Sequence, residues 1–169
     1  MLKLNYKMKH TLLFFLILTL LSCKENNQAQ LFEGNIFITI INIYNVNTIM
    51  PKDKRDEFRK SIIDFDSKGK SESEKEMAKY YKVLIDNDLF DKSSFQIKLK
   101  SNEIINIYVI DKEYLKLKKE LKGLDKDKEQ IKVTFEGSKI SDGVFNRAIY
   151  SASKIVFLEK TAGKTDWIK

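Results

Sequence analysis

The chain has 169 residues, with 31 basic and 24 acidic side chains, one histidine and one cysteine, for a formal charge of +7. Lys3, Lys7, Lys9 and the histidine, His10, all precede Cys23, which leaves 28 basic against 24 acidic side chains beyond residue 22, about +4. Without a histidine there, and with a single thiol, Ser-His-Asp and Cys-His machinery, zinc sites of the usual N/S type and intrachain disulfides are excluded, while so mild a positive excess reads as a solvated surface, with no nucleic-acid partner expected.

The three lysines form a basic n-region, and the run from Thr11 to Leu21 carries no charge. That run is short for a bilayer span and of the right length for a signal-peptide h-region. The small-residue A-x-A cleavage site of ordinary secretion is missing, and Leu20-Leu21-Ser22-Cys23 stands in its place. This segment resembles the lipobox of bacterial lipoproteins. The resemblance implies cleavage before Cys23, diacylglycerol on its sulfur and an acyl chain on its amine, more than one chain being what stable anchoring requires. That covalent lipid on Cys23 is the only non-protein group expected, with no other cofactor and no metal. Lys24 in the second mature position, where aspartate would signal retention, resembles outer-membrane sorting. The pair Lys24-Glu25 is similar to the start of the lysine-plus-acid signals that carry some lipoproteins to the cell surface. The expectation is an outer-membrane protein held by lipid and facing the periplasm or the surface.

Residues 23–31 are polar and aperiodic after the cysteine, as in a tether. From Phe32 to Val46 the chain is β-branched and aromatic, with both faces apolar between Ile36 and Ile41, as in a strand buried on two sides. Pro51 suits a helix start, and Phe58, Ile62 and Phe65, with Ile63 beside them, form one apolar stripe. Ser71 with Glu74 reads as a capping box, followed by Met77, Tyr80, Tyr81, Leu84 and Ile85 at helical spacing. The Tyr80-Tyr81 pair is expected in the core rather than stacked on a ligand. Asp86, Asp88 and Asp91 invite a calcium reading, but the positions that need glycine and glutamate in an EF-hand are Asp91 and Ile97, so a turn is the better account.

Phe95, Ile97 and Leu99 alternate with Gln96, Lys98 and Lys100, a half-exposed strand. Ser101-Asn102 turns into a second strand, Ile104 to Ile110, completing a hairpin. Asp111 is the expected N-cap of a short helix with Leu115, Leu117 and Leu121 inward and Gly123 as its stop. Ile131, Val133 and Phe135 then alternate with polar residues, Gly137 permits a bulge, Asp142-Gly143 turns, and Ala148 to Leu158 is the last strand.

With the two helices set aside, this order is β-β-β-α-β-β, which resembles the OB-fold, a five-stranded partly open barrel with a helix between strands three and four. Ile131-Lys132-Val133-Thr134-Phe135-Glu136-Gly137, followed by Ala152-Ser153-Lys154-Ile155, is also similar to the closing strands of small OB-like lipoprotein domains. The expected fold is therefore α+β: a partly open five-stranded OB-like β-barrel with a two-helix insertion between strands 1 and 2. The expected organisation is a signal peptide (1–22), lipidated cysteine and tether (23–31), one domain (32–158) and a polar tail (159–169). The roughly 140 residues after the signal suffice for one core.

The function expected is a non-catalytic binding module in the envelope, its partner the membrane through the lipid and an envelope protein or polysaccharide. On an OB-like frame the face of strands two and three would offer Lys98, Lys100 and Tyr108, with Tyr44 nearby. The alternative is an inhibitor or immunity lipoprotein, for which Asp86 to Asp91 and Asp125 to Glu129 are the acidic candidates. An enzyme would have to draw on Glu33, Asp111, Glu113 and Glu136 as paired carboxylates, and acids at strand ends are more often caps or surface.

Overall fold

A computed structural model describes residues 29–39, 51–144 and 147–168. Within them lie β1 (Gln30–Thr39), α1 (Lys52–Ile63), α2 (Glu72–Asp86), β2 (Ser93–Leu99), β3 (Ile104–Val109), α3 (Asp111–Leu121), β4 (Glu129–Val144), β5 (Arg147–Ala162) and β6 (Trp167–Ile168). The expected α+β class is what the chain adopts. The expected signal peptide, most of the expected tether and the residues from 40 to 46 read above as part of the first strand lie outside the described residues.

Period-two alternation decides which side chains point inward, and the pairing closes them around one core. β1 runs antiparallel to β2 (Gly34 opposite Leu99, Phe37 opposite Gln96) and, on its other edge, antiparallel to β4 (Gln30 opposite Gly137, Asn35 opposite Lys132). β2 and β3 form the expected hairpin. β3 then lies parallel to β5, with Asn106 opposite Ile149, and β5 returns antiparallel to β4. The five strands thus close a mixed sheet into a ring, and β6 adds a short parallel edge to β1.

The side chains that alternate inward fill the ring: Ile97, Ile105, Ile107, Ile131, Val133 and Phe135 are fully buried. Phe32 stacks on Phe135 at 5.2 Å and meets Tyr150 edge-on at 4.8 Å, fixing ring geometry as well as burying area. α3 covers one end of the ring with Tyr114, Leu117 and Leu121. Leu115, expected inward, is 61% exposed, because residues two apart on a helix cannot share the face that Leu117 already occupies. Its place is taken by Glu113, a buried carboxylate that accepts the Ile155 N–H at 2.8 Å and pairs with Lys116 at 2.7 Å. Burial works to raise the Glu113 pKa, but the Lys116 ammonium and the Ile155 N–H together hold it below the ordinary value. Asp111 is not the N-cap: it stands in the first turn and accepts from the Ser93 hydroxyl at 2.7 Å.

A smaller core lies outside the ring, between the sheet and the helical pair. Leu84, Leu89, Phe90, Tyr108 and Ile149 form it, with Phe58, Tyr80 and Tyr81 at its margin. The capping box is present, Ser71 and Glu74 exchanging hydrogen bonds at the α2 start. Ala78 and Leu84 are the buried residues of α2, whereas Met77 is 44% exposed. The outermost layer is α1, none of whose residues is fully buried; Phe58 packs edge-on against Tyr81 at 4.8 Å. Its stripe of Phe58, Ile62 and Phe65 is half-buried and Ile63 faces solvent. Arg55 and Arg59 both reach Asp91, and Arg59 lies over the Phe90 ring, so the turn after α2 is tied to α1.

The C-terminal segment expected as a polar tail is partly strand: β5 runs to Ala162, Gly163 N–H donates to Lys128 and Thr165 N–H to Lys126. Backbone bonds rather than apolar side chains hold it down, so no hydrophobic period announces it.

Two glycines let the ring close. A methyl group at Gly34 would lie 2.7 Å from the Lys98 carbonyl, and one at Gly137 would strike the Ser151 carbonyl beside a register shift. Gly34→Ala is therefore expected to destabilise the fold by about 1–3 kcal/mol, as overpacking does, read as a lower urea midpoint. Glu113→Ala orphans the buried Ile155 N–H and is expected to cost about 1–3 kcal/mol in the same measurement.

Candidate functional site

The strand that carries both ladders also floors a polar cleft. Outward-facing residues of β1 alternate with the core residues Phe32 and Ile36, which places Glu33 and Asn35 on the outside of the ring. β2 contributes Lys98 and its end leads to Lys100; β4 contributes Lys132; the segment after β5 brings Lys164 and Asp166. These residues line an open cleft of about 460 Å³, within the range of small-ligand pockets but polar where those are mostly apolar.

Charge is arranged in pairs. Glu33 bridges two lysines, with Lys132 Nζ at 3.1 Å and Lys100 Nζ at 3.3 Å, and Lys98 Nζ sits 2.8 Å from Asp166. Lys164 makes no ion pair among the described residues. Four ammonium groups thus face two carboxylates, leaving a positive excess in the cleft. The hydrogen bond from Lys132, with that from Lys100 and the charge of both, holds the Glu33 carboxyl below its ordinary value against the opposing effect of desolvation. Such a carboxylate stays ionised and is a poor proton donor at neutral pH.

Of the residues expected to bind, Lys98 and Lys100 come together here. Tyr108 does not join them. It is 5% exposed, packed beneath α2, and its hydroxyl shares a hydrogen bond with that of Tyr80. Burial pushes the Tyr108 phenol well up, as it does Tyr80, so both stay protonated. The helical pair thus covers the Tyr108 end of the β2–β3 face, and Lys98 stands at its other end. Tyr44, Cys23, Lys24 and Glu25 lie outside the described residues.

The carboxylates weighed for an enzyme do not share a cleft. Glu33 is in the lysine cluster, Asp111 and Glu113 are on α3, and Glu136 lies on β4 opposite Leu31. The acidic stretches serve locally: Asp91 is engaged by Arg55 and Arg59, and Asp125 pairs with Lys128 and accepts from Asp127 N–H. No cluster of three metal-ligating side chains occurs among the described residues, and no helix there is long and apolar enough to cross a membrane.

Lys132, Lys164 and Asp166 were not anticipated as site residues. Alternation around Ile131 and Val133 puts Lys132 outside, but only the β1–β4 pairing, about a hundred residues apart in sequence, puts it beside Glu33. Compared with known proteins, the chain matches no family model, no curated protein and no solved structure.

Because Glu33 has a depressed pKa when folded, its ion pairs contribute stability at pH values above the ordinary carboxylate range and lose it as pH falls through the lowered folded value. Glu33→Gln is therefore expected to have a slightly lower urea midpoint than the parent at pH 7. The two midpoints should converge in acid, below the ordinary carboxylate range.

Proposed function

We propose that this chain is an outer-membrane lipoprotein, anchored through lipid on Cys23, whose domain is a non-catalytic binding module for an acidic envelope polymer. The lysine-rimmed cleft carries this reading. It is solvent-open, its ionisable groups are four lysines and two carboxylates, and the carboxylates are already committed to ion pairs that orient the lysines. Such a surface suits a ligand bearing carboxylate or phosphate groups, which would meet preplaced donors at several points.

We further propose an OB-like barrel as the frame. The closed cycle β1-β2-β3-β5-β4, the helix α3 between β3 and β4, and the helical pair inserted between β1 and β2 support it. In that frame the cleft lies at the first and second strands, beside the face that OB-type domains commonly use. Lys24-Glu25 would act as the sorting signal that takes the anchored protein outward.

The anchor and the site are tested separately. Cys23→Ala is expected to lose the lipid mass and move the protein from the membrane to the soluble fraction; unchanged membrane retention would overturn the anchor. For the site, a photo-crosslinking residue at Lys100, whose side chain is 90% exposed, is expected to capture envelope polysaccharide in intact cells. Lys132→Glu combined with Lys164→Glu should abolish the adduct. Adducts that survive the charge reversal would place binding elsewhere.

A further inference from the structure

The outer face of β1, β4 and β5 bears an apolar group that no described element covers. Leu31 on β1 is 66% exposed, and Val156 and Phe157 on β5 are 48% and 46% exposed. Strand register brings them to one face. Leu31 lies opposite Glu136 and Phe157 opposite Thr134, both on β4, so one strand separates the two apolar side chains. The shift of register between Thr134 and Phe135 skips Val156, which turns outward beside Phe157 where regular alternation would have sent it into the core. Large apolar side chains gathered on an exposed face mark a contact surface.

The occupant can be argued from position. β1 and β4 are each paired on both edges here; β5 beyond Ser151 is paired with β4 alone, and the Ile155 N–H on its free edge is already taken by Glu113. Leu31 stands eight residues after Cys23, and a chain of that length reaches at most about 30 Å. Lipid on Cys23 therefore keeps this face close to the bilayer. Charge around the patch is mixed, Lys132 and Lys154 among Glu33, Glu136 and Glu159, each lysine opposite one of the last two acids in the β4–β5 register. A strongly acidic partner protein would gain little from it, whereas the apolar group suits the boundary between headgroups and acyl chains.

We propose that the β1–β4–β5 face rests on the bilayer that holds the lipid of Cys23, with Leu31, Val156 and Phe157 seated at the headgroup–acyl boundary. The docking rests on the anchor proposed above. It adds a fixed orientation: the lysine cleft, which shares Glu33 and Lys132 with the rim of this face, opens along the membrane surface, and the helical pair lies at the other end of β4 and β5, over Ile140 and Ile149.

The test uses the lipidated protein in phosphatidylcholine vesicles. With the Cys23 sulfur blocked by lipid, a cysteine introduced at Leu31, Phe157 or Ile63 is the only free thiol and takes a fluorescent label. All three positions are exposed, so the variants retain the core. Nitroxide-labelled lipids are expected to quench labels at Leu31→Cys and Phe157→Cys at least about threefold more than at Ile63→Cys, the depth of an interfacial contact being shallow but real. Equal quenching at the three positions, with lipid on Cys23 confirmed by mass, would overturn the docking and leave the anchor standing. An unlipidated Cys23 would overturn both. Labels at Leu31 and Phe157 shielded from lipid by a second copy of the chain, seen as a dimer in sedimentation, would also overturn it.

Discussion

β1 must be approached closely on both edges, and the rest of the structure depends on that. Around Gly34 and Asn35 the strand pairs with β2 on one side and β4 on the other, and a single methyl group at Gly34 would collide with the Lys98 carbonyl. Without this double pairing β2–β3–β5–β4 would be an open sheet with two raw edges, a liability for any β-protein. Closing it buries the inward side chains of all five strands against one another. It also sets Glu33 between Lys100 and Lys132, so the requirement that closes the core assembles the cleft.

The two cores divide the work between tightness and cover. Inside the ring, alternation sends apolar side chains to one shared core, interrupted by the register shifts of the β4–β5 pair. Outside it, Tyr108 and Ile149 would be exposed but for α1 and α2, which cap them with aromatic rings and the Arg55 and Arg59 contacts to Asp91. Half-buried helices of this kind have the smaller apolar payoff per residue, and α1, with no fully buried residue, sits at the weak end of it. Of the polar groups that end up inside, Gln96 donates to Asn106 at 2.6 Å across the β2–β3 pair while its own Oε1 has no hydrogen-bond partner among the described residues, and Glu113 serves the Ile155 amide.

Local rules carried the reading of individual elements a long way. The Ser71–Glu74 box, the Ile131-Val133-Phe135 alternation, the bulge at Gly137 and the β2–β3 hairpin are each written within a few residues, and each stands where expected. What failed was either a matter of phase or of distance. Leu115 is as apolar as Leu117 and Leu121, but those two fix the phase of α3 and leave it outside. Tyr108 looked accessible on its strand because nothing local says that α2 lies over it. The cleft was half legible: Lys98 and Lys100 announce themselves by alternation, whereas Lys132, Lys164 and Asp166 join them only through pairings between distant strands. The clamping of the segment after β5 relies on backbone bonds at Gly163 and Thr165, which leave no mark in a hydrophobic pattern.

The double ladder on β1 has a mechanical side. A pull applied at the N-terminus enters the domain at Gln30 and runs along the strand axis. The antiparallel hydrogen bonds to β4 and to β2 lie across that direction, from Gln30 to Asn35 on one edge and Gly34 to Phe37 on the other. They are loaded together in shear and cannot unzip one at a time. Resistance to force is governed by the barrier to unfolding rather than by equilibrium stability, and this geometry raises that barrier against a pull on the N-terminal side of β1. Under such a load the α1–α2 layer, where α1 has no fully buried residue, is expected to yield first, leaving β1 as the clamp.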